Sequence, residues 1–135
     1  MTDKQALFEY RLQQALTTLD DARKMLRAEI SHRSVVNRAY YSMFYMVMAL
    51  FLKMNVNAKT SKHTGLISLF DREFVIPGKI DKKYSKLLHS MFDDRQESDY
   101  KEFVEVPKDD AVNGVRYAEE FISAINQFIR ESEDS

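Results

Sequence analysis

Arg38-Ala39-Tyr40-Tyr41-Ser42-Met43-Phe44-Tyr45-Met46-Val47-Met48-Ala49-Leu50-Phe51 is the stretch on which the fold turns. Val36, Tyr40, Met43, Phe44, Val47, Leu50 and Phe51 recur at steps of three and four, the spacing that lines side chains along one face of an α-helix. Arg38, Tyr41, Tyr45 and Met48 make a second row at the same spacing. A helix that is apolar or aromatic on two faces must be covered on several sides. The segment at about 33–54 is therefore either the centre of a helix bundle or part of a protein interface.

Outward from this segment the helical period continues in both directions. Ser31 is a candidate N-cap for it. Before Ser31, Phe8, Leu12, Ala15, Leu16, Leu19, Ala22 and Leu26 mark the inner face of a helix at about 4–29, with Arg11, Asp20, Asp21 and Lys24 on the other side. After it, a polar stretch at 55–59 leads to a shorter helix near 61–73 carrying Leu66, Ile67, Leu69 and Phe70. Pro77-Gly78 predicts a turn in which glycine takes a positive φ. Asp81 then caps a helix at about 82–97 with Tyr84, Leu87, Leu88, Met91 and Phe92 inward. Pro107 and Asp109 start a last helix at about 109–130, whose inner residues are Val112, Val115, Ala118, Phe121, Ile122, Ile125 and Ile129. The tail at 131–135 is expected to fray.

With only three glycines and two prolines to break it, the chain predicts an all-α fold, an up-and-down bundle of about five helices, four long and one short. The 135 residues are expected to form one domain, since 44% apolar and 30% charged residues is globular composition. Seven methionines, nine phenylalanines and seven tyrosines supply its core.

The same composition limits the chemistry. The charges are interspersed and the net charge is −1, so binding to nucleic acid or membrane would have to be local. Without cysteine there is no disulfide, thiolate metal site or thiol nucleophile. No basic start followed by an apolar segment suggests a signal peptide, and no uninterrupted apolar run approaches the roughly 20 residues of a membrane span. A cytoplasmic protein with no membrane partner is expected. His32, His63 and His89 lie far apart and make no helical metal pair, so neither a metal nor a cofactor is expected, and no serine nucleophile elbow is present.

What remains is Arg38-Ala39-Tyr40-Tyr41-Ser42-Met43-Phe44, the Lys62-His63 pair opening the short helix, and Arg95-Gln96-Glu97-Ser98-Asp99-Tyr100 closing the fourth segment. In order and spacing these runs resemble HEPN domains, in particular the small stand-alone prokaryotic (UPF-type) members, over about residues 10–125. The resemblance implies a homodimer in which an Arg-centred motif from each subunit lines a shared cleft, often beside a nucleotidyltransferase partner in a toxin–antitoxin pair. In the ribonuclease members the motif is Arg, four to six residues, then His. Here Arg95 matches the arginine; Asp99, after three residues, is read as standing in for the histidine, and Tyr100, after four, follows.

Metal-free RNA cleavage needs a base, an acid and a cation for the developing phosphorane charge. Aspartate, with an ordinary pKa of about 3.9, supplies proton transfer poorly near neutrality. The sequence therefore favours a binding module over an enzyme: Arg95 contacts the phosphate of a nucleotide or RNA, Tyr41 stacks, Asp99 orients Arg95, and Arg38, Lys62 and His63 contribute to the ligand site. Tyr100 offers a hydroxyl that the resemblance marks for nucleotide modification. The rival reading is a metal-independent endoribonuclease toxin using Arg95 with His63 or Asp99, and a third is a scaffold bundle without a ligand. Lys59, Lys62 and His63 could also form a small cationic patch at a helix start. Arg27 and His32 repeat the Arg–His spacing away from the family's position.

Overall fold

Three of the helices begin where a short polar side chain takes up an amide the helix itself leaves free. The computed structural model describes residues 2–100 and 105–133, without the side chains of Ser98 and Tyr100. Thr2 Oγ1 accepts from Gln5 N–H at 3.1 Å to open α1 (Asp3–Arg27), and Ser31 Oγ accepts from Ser34 N–H at 3.3 Å to open α2 (His32–Lys53). Asp81 Oδ1 accepts from Lys83 N–H at 2.9 Å at the start of α4 (Lys82–Tyr100). At α5 (Lys108–Glu133) the Pro107 carbonyl receives the Asp110 and Ala111 amides, so the helix starts one residue before the predicted position.

Two helices stop the same way. Glu29 (φ 54°) ends α1 and Asn55 (φ 58°) ends α2, each turning the chain left-handed so that the next amide reaches back, Ile30 N–H to Met25 O and Val56 N–H to Phe51 O. Asparagine tolerates that conformation better than glutamate does.

α2 is the central element. It touches α1, α3 (His63–Phe70), α4 and α5, and twelve of its 22 residues are buried. Ser42, polar and fully buried among them, is satisfied by donating to Ala39 O at 2.6 Å. By length and composition α2 could cross a membrane, but 67% of its apolar window is buried inside the bundle, as in a core helix. The cross-bundle pairs Arg23–Glu119, Lys53–Glu133 and Lys83–Glu120 tie α1 and α4 antiparallel to α5 and set α2 parallel to it, which is the up-and-down arrangement. Gly114 lets α5 approach α4 and α2 closely: a Cβ there would stand 3.2 Å from Met91 Cε and 4.0 Å from Ala39 Cβ.

Several sequence expectations shift. α3 is shorter than 61–73, because Lys62 is extended and the end unwinds into a π-helical turn, Asp71–Val75, closed by Ile76 N–H to Asp71 O at 2.8 Å. Asp71 is fastened to α4 by Ser85 Oγ and His89 Nε2, both at 2.7 Å, while Phe74 enters the core against Phe51 and Phe70. Gly78 takes φ 81° in the turn after Pro77. Val112 is 40% exposed and Leu16 39% exposed; Ala111 with Gly114, and Thr18 with Leu19, hold the inner phase instead. α5 runs to Glu133, into the stretch expected to fray; residues 134 and 135 lie outside the described structure.

Candidate functional site

A tyrosine in a buried aliphatic row must find a partner for its hydroxyl. Tyr40, fully buried on α2, finds it across the bundle: its hydroxyl lies 2.8 Å from His63 Nδ1, at the first residue of α3. Burial pushes the Tyr40 phenol far above the ordinary tyrosine value against the opposing pull of Arg95, so it keeps its proton. His63 is shifted the other way: desolvation and the Arg95 charge hold its pKa below 6.5. Both groups are therefore neutral where they meet. The phenol and Nδ1 share one hydrogen bond whose donor is set by the histidine tautomer.

His63 is wrapped in rings. Its imidazole stacks on Phe44 at 3.9 Å between centroids and on Tyr40 at 5.6 Å, meets Tyr41 edge-on at 5.5 Å and lies 6.5 Å from Phe92. The loop from α2 places it there, and the helical step of α2 puts Tyr40, Tyr41 and Phe44 side by side.

Arg95 arrives from α4 on the same rings. Its guanidinium carbon is 5.3 Å from the Tyr41 centroid and 5.8 Å from that of Tyr40, and Nη2 donates to the Tyr41 hydroxyl at 3.1 Å. One helical turn on, Asp99 Oδ2 lies 2.9 Å from Arg95 Nε. Arg38 approaches Tyr41 as well, with its guanidinium 5.4 Å from the ring centroid, and donates to Asn37 Oδ1 at 3.2 Å. Beside this corner lies a cleft of about 330 Å³ lined by Met25, Arg33, Ser34, Asn37, Arg38 and Asp99. Asp99 thus forms part of the cleft wall and pairs with Arg95 at once.

Of the residues singled out in the sequence, Arg95, Asp99, Tyr41, Arg38 and His63 meet in this one cluster. Lys62 does not: it is exposed and no described contact joins its side chain to the others. Lys59 lines a different cavity, of about 410 Å³, with Thr60, Ser68 and Arg72. His63 is turned into the rings and kept neutral, which removes it from the surface patch envisaged with Lys59 and Lys62. His32 Nδ1 lies 3.2 Å from Val106 O, near the entry to α5, and His89 serves the π-helical turn. The Tyr100 side chain lies outside the described residues. Among the described residues no three His, Asp or Glu side chains converge as metal ligands would.

The sequence reading did not name Tyr40, Phe44 or Phe92 as site residues, having assigned them to the core, nor Arg33 and Asn37 on the cleft. The lone hydroxyl in the apolar row of α2 was the available signal for Tyr40. For Arg33 and Asn37 the signal was the step of four that runs from each to the next and on to Tyr41.

A family model described as the HEPN domain matches residues 8–128. The chain belongs to the HEPN family. A UPF0332 protein of Thermotoga maritima is 40% identical over 131 residues, 97% of each chain. Two proteins of Methanocaldococcus jannaschii named as candidate toxins are also similar. One is 32% identical over 82% of this chain and 80% of its own length, the other 31% identical over 74% and 66%. In this HEPN domain the Arg95 corner joins the last described turns of α4 to the middle of α2.

Proposed function

We propose that this HEPN domain is a cytoplasmic homodimeric module that binds a phosphate-bearing ligand, a nucleotide or RNA, at the Arg95 corner, and works beside a nucleotidyltransferase in a toxin–antitoxin type of pair. The observation that carries the reading is the placement of Arg95: a guanidinium within 5.3 and 5.8 Å of the Tyr41 and Tyr40 ring centroids, with Arg38 5.4 Å from the Tyr41 centroid and an open cleft alongside. Guanidinium groups recognise phosphate by charge and by paired hydrogen bonds, and a flat aromatic face stacks a base. The half-buried row of Arg38, Tyr41, Tyr45 and Met48 on α2 gives a second subunit a surface adjoining this corner. The names of the two Methanocaldococcus relatives support the toxin side of the proposal.

A second reading, a metal-independent endoribonuclease, is favoured by one observation. His63 is held neutral beside Arg95, so a proton acceptor and a cation for the phosphorane share one cluster. Asp99, engaged as the counter-ion of Arg95, is poorly placed for that work. Incubating the protein with single-stranded RNA in a chelator at low salt separates the two readings. Binding that is lost in Arg95→Ala, with the RNA intact, supports the module. Cleavage that is lost in both Arg95→Ala and His63→Gln supports the enzyme. Equal binding by wild type and Arg95→Ala contradicts both. Light scattering tests the dimer, whose expected mass is twice the 15.9 kDa chain; a monomer at all concentrations would refute it.

A further inference from the structure

The net charge of −1 conceals an uneven distribution. Residues 53–92, all of them described, hold eight Lys and Arg against three Asp and Glu, a net charge of +5, so the rest of the chain carries −6. Lys53 and Lys83 are engaged by Glu133 and Glu120 of α5, and Arg72 by Glu73. Lys59, Lys62, Lys79, Lys82 and Lys86 are exposed and enter no ion pair among the described residues. The other two carboxylates of the segment have local work: Asp71 is held by Ser85 and His89, and Asp81 caps α4.

These cations border a groove between the loop after α2 and the outer face of α3. A cavity of about 410 Å³ is lined by Lys59, Thr60, Ser68 and Arg72, and a second of about 300 Å³ by Asn55, Arg72, Glu73 and Lys79; the two adjoin at Asn57, Leu69 and Arg72. Glycine at 65 seats the loop as the groove wall, since a Cβ there would stand 2.4 Å from Thr60 Cγ2. Lys82 and Lys86 lie within one helical turn of Ser85, the α4 residue bonded to Asp71 beside Arg72, and carry the cationic rim onto α4. We propose that this groove and its lysine rim bind the phosphodiester backbone of single-stranded RNA, at a surface distinct from the Arg95 corner.

The lining selects the ligand. Phosphate oxygens are met by Lys and Arg together with the small polar side chains Asn, Ser and Thr, the types found here. Among the described lining residues the one aromatic is Phe74, which is buried in the core, so the bases have no ring to stack on and the backbone is recognised whatever the sequence. Asn57, Thr60 and Ser68 give the groove uncharged hydrogen-bonding groups suited to the ribose 2′-hydroxyl, which separates RNA from DNA. A mononucleotide has one phosphate to offer to this row of cations, so a strand should be held far better than AMP.

The test is fluorescence anisotropy of the full chain with a labelled oligouridylate of about twelve nucleotides, titrated across a range of salt. Lys59→Gln/Lys79→Gln should weaken binding roughly tenfold in low salt and lower the slope of log affinity against log salt by about 1.4, the value for two phosphate contacts to a single strand. Oligoadenylate should give the same slopes. Lys24→Gln/Arg116→Gln, which removes equal charge from α1 and α5, should change neither quantity. Affinity and slope unchanged in Lys59→Gln/Lys79→Gln, with binding lost in Arg95→Ala, overturn the groove and leave the Arg95 reading standing. Binding weakened by the lysine variant but equal to wild type in Arg95→Ala supports the groove and removes the Arg95 reading. Equal binding of a DNA strand of the same length overturns the assignment to RNA, and displacement of the RNA by polyglutamate at equal charge overturns it in favour of an acidic protein segment. No binding by wild type in low salt overturns the proposal outright. Melting curves confirm that each variant is folded.

Discussion

Acidification should unlock the aromatic cluster through His63. In the folded chain, desolvation and the neighbouring Arg95 charge lower the His63 pKa below the ordinary 6.5, so the unfolded chain binds a proton that the folded chain refuses. A depressed histidine contributes its stability in full above pH 6.5 and loses it as pH falls from there toward the folded-state value. Within that window the loss from this single group is at most about 1.4 kcal/mol per pH unit, the free energy of one proton. Carboxylates titrate at lower pH, so the comparison is with His63→Gln, which cannot take up the proton. Urea unfolding of both proteins between pH 7.5 and 5 should show the advantage of wild type shrinking as pH falls below 6.5. Histidine ring NMR should place the His63 midpoint below that of an exposed histidine. Arg95→Gln should move this midpoint upward while burial still holds it below 6.5. A midpoint at or above 6.5, or one unmoved in Arg95→Gln, would refute the argument that ring burial and the guanidinium act jointly on this imidazole.

Tyr40→Phe keeps the ring stack but removes the hydroxyl hydrogen-bonded to His63 Nδ1 at 2.8 Å, and should cost about 1–2 kcal/mol at pH 7.5, read by urea unfolding. Glu29→Gly should raise stability by about 1 kcal/mol in thermal unfolding, because glycine accepts the φ of 54° without strain while the exposed ion pair between Glu29 and Lys108 contributes little. Asp71→Ala releases both Ser85 and His89 from the π-helical turn and should cost about 2 kcal/mol, with Ser85→Ala costing about half as much; equal stabilities would show that the turn is held by Phe74 alone. Asp94 is pushed above its ordinary carboxylate value by desolvation and by Asp110, Glu97 and Asp93. Asp94→Asn should therefore raise the melting temperature at pH 7, and the gain should vanish as acid neutralises the carboxyl in wild type.

Periodicity made the bundle legible because each long helix buries one continuous stripe. Val36, Tyr40, Met43, Phe44, Val47, Leu50 and Phe51 are all buried, and the second row of Arg38, Tyr41, Tyr45 and Met48 is half-buried, which marks α2 as central. Phase errors fell where a small residue could replace a large one on the inner face, as Ala111 and Gly114 do beside Val112. The π-helical turn was invisible because it depends on Asp71 meeting Ser85 and His89, partners 14 and 18 residues away. For the site, Arg95, Asp99, Arg38 and Tyr41 could be read from their spacing and from the family resemblance. The meeting of His63 with Tyr40 could not, because it depends on how the loop after α2 returns the chain to the bundle. Tyr40 looked like one more core ring until its hydroxyl was seen to have a single described partner.

The most direct test of the Arg95 corner is a backbone NMR titration of the full chain with AMP at low salt. The proposed binding role predicts that perturbed amides cluster at residues 33–41, at 63 and at 95–99, and that the same titration of Arg95→Ala leaves those amides still. Perturbations centred instead on the Lys59 and Arg72 cavity, or none at saturating nucleotide, would contradict it.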